Sequence, residues 1–361
     1  MTVTALRITS VNVPMTCTYG TPYPARSHTT ALVVILESQS GLRGESVLIG
    51  AHMRQMHVLR EMMRSLEPLV VGTDPADWRT FSPRARDDSK HVGYAGVVAI
   101  AIGAIEAALL DLAAKASDQP VHRLLGAKRD AVRAYYSSGF WPKVPLDVML
   151  KTAQRVTDAG YRAIKVRVGG LSLDDNVRRL TALREAVGSD VEIMIDAGRR
   201  LDVKSAIALG QALAPLSIAW LEEPIAGDDH AANAAIAAAI PMPVALGESV
   251  FSRQEFEDIL GKRAATVIMP DLQRIGGPSA FLAIADLAHA NGLAISSHVA
   301  PEMSLSLLAH VENSGYVEIM PWAAPLYRDG IVIENGYAKL SDAPGWGVSL
   351  NDEAIARYTV D

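Results

Sequence analysis

Three acids in the second half of the chain, Asp196, Glu222 and Glu248, stand at two equal intervals of 26 residues, and each closes a short apolar run: VEIMID, SIAWLE and PVALGE. Asp271, His298 and Glu318 close the next three runs, at steps of 23, 27 and 20. Carboxylates gathered into one mouth repel one another unless a positive charge sits between them. A hard divalent cation resolves that conflict, and oxygen-only ligation with no Cys or adjacent His favours Mg²⁺ over Zn²⁺. In the preceding run, AIKVRV, strand alternation sends Lys165 and Arg167 to the same face. Next to a metal and another cation, Lys165 can lose proton affinity and act as a base, or stay charged and hold a carboxylate. Arg167 keeps its proton. Asp271 can accept the Nδ1 proton of His298, fix its tautomer and raise its basicity. Glu318, if protonated, can donate a hydrogen bond to developing negative charge.

A spacing near 26 residues is one strand, one helix and two short loops, the unit of a parallel α/β barrel whose chemistry gathers on one rim. From Val132 the chain alternates accordingly. VRAYYS, YRAIKVRV, VEIMID, SIAWLE, PVALGE, ATVIMP, LAISSH and YVEIM read as eight strands, separated by helical stretches such as LDDNVRRLTALREAVG and PSAFLAIADLAHANG. Residues 1–130 mix strand and helix patterns without regular alternation, an α+β domain. After Pro325 the chain turns polar and Gly-rich with no room for another barrel unit, so residues 325–361 are expected to return to the N-terminal domain and leave 131–324 as the barrel.

Composition narrows the function classes. The 361 residues are 49% hydrophobic with net charge −6, and no Lys/Arg-rich run or aromatic-basic interleaving is present to track a phosphate backbone, which argues against nucleic acid. Cys17 is the single cysteine and can form no internal disulfide. The N-terminus alternates like a strand instead of reading as a signal peptide. The apolar stretch from Val97 to Ala116 carries Glu106, Asp111 and Lys115, as a buried helix would, so no membrane span is expected and the cytoplasm is the default address. The partner is then a small molecule.

The motifs LRITSVNVP, AIKVRVG, IMIDAG, WLEEP, GES, MPDLQRIGG, SSH and DAPGWGV together resemble the enolase superfamily in its mandelate racemase subgroup, over nearly the whole chain. That resemblance implies a capping α+β domain that supplies specificity and a (β/α)₇β modified TIM barrel that carries catalysis. It implies Asp196, Glu222 and Glu248 as Mg²⁺ ligands, with Lys165 and Arg167 on one face of the substrate, the Asp271/His298 dyad on the other and Glu318 at the substrate carboxylate. The shared step it implies is removal of the proton α to a carboxylate, giving a metal-stabilised enediolate. A symmetric homo-oligomer, often an octamer, is implied as well.

Two positions depart from the racemase pattern: Arg167 stands where a second base Lys is usual, and Gly198 where Asp-x-Asn places an amide. With one competent base, syn dehydration of a sugar acid (aldonate or aldarate) to a 2-keto-3-deoxy acid by His298 is the expected lyase reaction. The alternatives are a 2-hydroxy acid racemase or epimerase and a metal- and ligand-binding barrel without turnover. Loop residues Tyr19, Tyr23, Arg26 and His52 are candidates for substrate selection, and Ser137 and Ser138 for contact with a substrate carboxylate.

Overall fold

The computed structural model describes residues 1–15, 28–50 and 52–360. Strands β1 (Val3–Pro14), β2 (His28–Ser38) and β3 (Arg43–Gly50) form an antiparallel sheet in that order. Ala31 to Leu36 is an unbroken apolar run in β2, the pattern of a strand covered on both faces. Leu32, Val34, Leu36 and Leu48 join the main core with helices α1 (Met53–Ser65), α2 (Glu67–Val70), α3 (Trp78–Asp88) and α4 (Val97–Ala116). Val11, Val13, Ala31, Val33 and Val47, on the other face, pack against Ala323, Leu326, Leu350 and Ile355 of the C-terminal stretch.

Helix α4 is the one among the described residues long and apolar enough to cross a membrane, and it is buried in the core. Its two buried acids each satisfy backbone N–H groups of other elements. Asp111 accepts from Glu45 at 2.8 Å and Trp346 at 2.8 Å, tying β3 and the C-terminal stretch to the helix. Glu106 accepts from Ser279 at 2.9 Å, across the boundary to the barrel. Burial lifts the Glu106 carboxyl from 4.5 to about 7. A carboxyl raised on folding stabilises below its unfolded value and loses that contribution as pH rises through its folded value. Between about pH 5 and about pH 8, wild type should therefore lose on the order of 3 kcal/mol relative to Glu106→Gln. Parallel denaturant-derived stabilities for the two proteins across that window would refute this.

After α5 (Val121–Leu124) the barrel begins. Its units are β4 (Ala131–Tyr136) with α6 (Leu146–Asp158), β5 (Ala163–Arg167) with α7 (Leu173–Val187), β6 (Glu192–Asp196) with α8 (Val203–Ala212), and β7 (Ile218–Glu222) with α9 (His230–Ala239). There follow β8 (Val244–Leu246) with α10 (Arg253–Gly261), β9 (Val267–Ile268) with α11 (Pro278–Ala290), β10 (Ala294–Ile295) with α12 (Pro301–His310), and a final β11 (Tyr316–Ile319). A parallel ladder runs from β10 back through β4 and on to β11. Between β10 and β11 there is no regular ladder, and single bonds cross the seam: Gly315 N–H donates to the Ile295 carbonyl at 2.7 Å and Ser297 N–H to that of Tyr316 at 2.9 Å. The eighth strand carries no helix, which makes the barrel (β/α)₇β.

The C-terminal stretch divides, which the sequence reading did not anticipate. β5 meets β4 only at Tyr136, so the first half of β4 is open on that side. The hairpin of β12 (Ile333–Glu334) and β13 (Tyr337–Lys339) pairs there, antiparallel to Ala131–Arg133, instead of returning to the N-terminal sheet. Only the remainder, with α13 (Asp352–Tyr358), reaches β1, where Val360 N–H donates to the Ser10 carbonyl at 2.9 Å.

Inside the barrel, Tyr135, Ala163, Met194, Trp220, Ala245, Met269 and Tyr316 form one apolar plug. Strand alternation puts the second residue after each on the same face. Those residues are Ser137, Lys165, Asp196, Glu222, Gly247, Asp271 and Glu318. The chemistry is thus one pleat above the plug.

Candidate active site

Glu248 is the exception to that alternation: its parity is that of Val244 and Leu246, away from the interior. Gly247 reverses it. At φ +139° it adopts a backbone L side chains avoid, and a Cβ there would lie 2.7 Å from the Met269 carbonyl oxygen. Glu223 braces the turn, accepting the Gly247 N–H at 3.0 Å from a buried carboxylate on a residue with φ +42°. The result brings Asp196, Glu222 and Glu248 together with ligand oxygens all within 4.8 Å of one another.

Each of the three meets a cation. Lys165 Nζ lies 2.8 Å from Glu222 Oε1, 2.7 Å from Glu318 Oε1 and 3.5 Å from Asp196 Oδ2, with the Tyr135 ring beneath it. Arg167 pairs with Asp196 Oδ2 and stands 5.4 Å from the Trp141 ring centroid. His298 Nε2 is 3.0 Å from Glu248 Oε2. Burial pushes Lys165 toward losing its proton, but Glu222, Glu318 and Asp196 outweigh it and hold the ammonium above its ordinary value. Of the two roles open to Lys165 from the sequence, base or fixed charge, three acids within 3.5 Å favour the charged one. Glu318 is held by opposing influences. Burial works to raise it, yet Lys165 and His298 bring the carboxyl down to about 2. Its Oε2 accepts the Val299 N–H at 2.8 Å and its Oε1 faces Lys165 Nζ at 2.7 Å, two contacts that favour the carboxylate.

The dyad is built at the ends of β9 and β10. His298 Nδ1 lies 2.9 Å from Asp271 Oδ2, whose carboxylate also accepts the Gln273 N–H at 2.8 Å and faces Arg274 Nε at 3.2 Å. Burial alone would depress His298, but Glu248 and Asp271 raise it to about 10. Beyond it Val299 and Ala300 hold φ +43° and +45°, the left-handed region that is unusual for a β-branched residue and lets the Val299 N–H turn toward Glu318.

Ser137 and Ser138 are buried at the end of β4. His52 is exposed at the N-cap of α1 and does not line the cleft over the dyad. Tyr19, Tyr23, Arg26 and Cys17 lie outside the described residues. At Gly198 there is no side-chain amide, and the backbone N–H donates to Asp196 Oδ1 at 2.6 Å. Residues the sequence reading passed over are Gly247, Glu223, Trp141, Gln273 and Arg274. The Gly of LGES and the doubled acid of LEEP were signals for the first two, whereas Trp141 beside Arg167 and the side chain of Gln273 against β3 depend on elements distant in the chain.

Among the described residues, the donor set and its electrostatics fit a hard cation. Three carboxylates converge, and Asp196 Oδ2 and Glu248 Oε2 are buried without a hydrogen bond of good geometry. Residues 3–126 match the family described as mandelate racemase / muconate lactonizing enzyme, N-terminal domain, and residues 148–354 that described as enolase C-terminal domain-like. The chain belongs to the mandelate racemase/muconate lactonizing enzyme family. It is 35% identical to the L-talarate/galactarate dehydratase of Salmonella typhimurium, over 79% of this chain and 72% of that protein. It is 32% identical to the 3,6-anhydro-alpha-L-galactonate cycloisomerase of Streptomyces coelicolor, over 75% of each. The crystal structure of the L-talarate dehydratase of Polaromonas sp. JS666, complexed with Mg and L-glucarate, superposes with a TM-score of 0.90 at 30% identity, covering 100% of this chain and 98% of that one. Family membership joins dehydratases and isomerases on one scaffold, so the reaction must be argued from the proton donors and acceptors present.

Proposed function

We propose that this chain is an Mg²⁺-dependent lyase that removes water from a sugar acid, an aldonate or aldarate, to give a 2-keto-3-deoxy acid. The observation that carries it is the asymmetry of the site. One face offers the Asp271/His298 dyad, and the other offers Arg167, a permanent cation paired with Asp196, beside a Lys165 that lies 2.7 Å from Glu318 and 2.8 Å from Glu222. Racemisation needs a proton acceptor on each face, whereas syn elimination needs one.

Asp196, Glu222 and Glu248 would hold the metal, which when bound supplies positive charge to the substrate carboxylate and lowers the cost of the anion formed at Cα. His298 acts as base once its Nε2 is released from Glu248 Oε2, taking the proton α to the carboxylate while Asp271 keeps Nδ1–H oriented. The same imidazolium then protonates the departing β-hydroxyl on that face, so water leaves and the enol relaxes to the keto acid. Lys165 and Arg167 stay charged and bind substrate oxygens. Residues of the N-terminal domain, with its C-terminal addition, would select the outer end of the acid. A soluble cytoplasmic homo-oligomer is the assembly this reading carries.

The test is a panel of aldonates and aldarates incubated with Mg²⁺ in D₂O. Loss of water with a 2-keto-3-deoxy product is the expected result. Exchange of the α-proton with inversion and no loss of water would replace this reading by an isomerase. Neither change with any acid would leave a metal- and ligand-binding barrel.

A further inference from the structure

Among the described residues, the outer edge of β3 has no strand beside it, since the sheet ends there. Its backbone groups are instead satisfied by side chains from elsewhere. Glu45 N–H goes to Asp111 and the Glu45 carbonyl receives the Trp346 indole at 3.2 Å. Further along, buried Gln273 does both jobs at once. Its Nε2 donates to the Val47 carbonyl at 2.6 Å and its Oε1 accepts the Ile49 N–H at 3.2 Å. That is the donor and acceptor pattern a neighbouring strand would present, delivered by one amide.

Gln273 belongs to the barrel, two residues beyond Asp271, and its backbone N–H holds Asp271 Oδ1 at 2.8 Å. One residue therefore grips the dyad with its main chain and the N-terminal sheet with its side chain. The part of β3 it grips leads into Leu48, Ile49 and Gly50, which line a cleft of about 730 Å³ together with Asp271 and His298. We propose that Gln273 is a positioning residue that registers the β3 wall against the catalytic dyad, so that the outer end of the acid and the proton being removed are held in one frame. Glu cannot donate to Val47, Met offers neither bond, and Asn is one methylene short, so the side chain at this position is specified by geometry as well as polarity.

The kinetic half of the test rests on the proposed dehydration and the exchange half does not. In Gln273→Met the Ile49 amide should exchange with solvent at least about tenfold faster, since that N–H loses its partner at a sheet edge with no neighbouring strand to replace it. KM for the acid should rise about tenfold with kcat within about threefold, because the wall moves while the Gln273 main chain still holds Asp271. Gln273→Asn should fall between wild type and Met in both measurements, and serves in place of Met if that variant does not fold. Unchanged Ile49 exchange would overturn the proposal, as would a kcat loss with KM unaltered. If wild type turns over no acid, the dehydration reading fails and Ile49 exchange alone decides the role of Gln273.

Discussion

Turnover of the acid by His298→Asn should fall by about 10²–10⁴-fold, the range a positioned general base contributes. Asn is the informative replacement because its side-chain amide can still donate toward Asp271, so the turn around Val299 and Ala300 keeps its shape while the transferable proton site is lost. Mg²⁺ affinity should be retained, because Asp196 and Glu222 are untouched and Glu248 loses a competitor at Oε2. Release of 2-keto-3-deoxy acid measures the first effect and calorimetric titration with Mg²⁺ the second. A variant that still turned over within a few-fold of wild type would move the base elsewhere, and Lys165 would have to be reconsidered despite its three acidic neighbours.

Asp196→Asn is expected to act on the other half of the chemistry. It exchanges an anionic ligand for a neutral one at constant shape, in a site where carboxylate charge is what a hard cation recognises. Loss of an outer partner of a metal ligand already costs about 10–100-fold in affinity, so loss of a ligand charge should cost at least about 100-fold. The readout is thermal: at about 100 times its dissociation constant a bound ion adds about 2.7 kcal/mol to stability, and the variant should lose that Mg²⁺-dependent rise in midpoint. A rise of wild-type size in Asp196→Asn would mean that the ion is held without this acid. Turnover should fall with metal binding in this variant, unlike in His298→Asn, where the two separate.

The barrel and its reactive rim were legible from the chain because both rest on periodicity. Apolar runs recurring at the length of a strand plus a helix specify parallel β/α units, and alternation within a strand specifies that Lys165, Asp196, Glu222, Asp271 and Glu318 share a face. Local pattern could carry no further than this. Glu248 reaches the mouth only because Gly247 breaks the alternation, and it is the Met269 carbonyl on the next strand that leaves no room for a side chain there. The place of residues 331–339 depended on how little of β4 is paired by β5, a property of the sheet and not of either strand.

Protonation was the hardest to foresee. From sequence, Lys165 could be base or charge and Glu318 could be donor or acceptor, because each outcome turns on distances between groups on different strands of the barrel. Lys165 Nζ at 2.7 Å from Glu318 and 2.8 Å from Glu222 bears on both, favouring ammonium for one and carboxylate for the other. The sequence by itself determined that Lys165, Asp196, Glu222, Asp271 and Glu318 share one face, since side-chain order along a strand is set by covalent geometry. Which of them carry protons, and how Gln273 ties the N-terminal sheet to the dyad, was decided by tertiary packing, since electrostatic and hydrogen-bond energies depend on separations that only the closed fold creates.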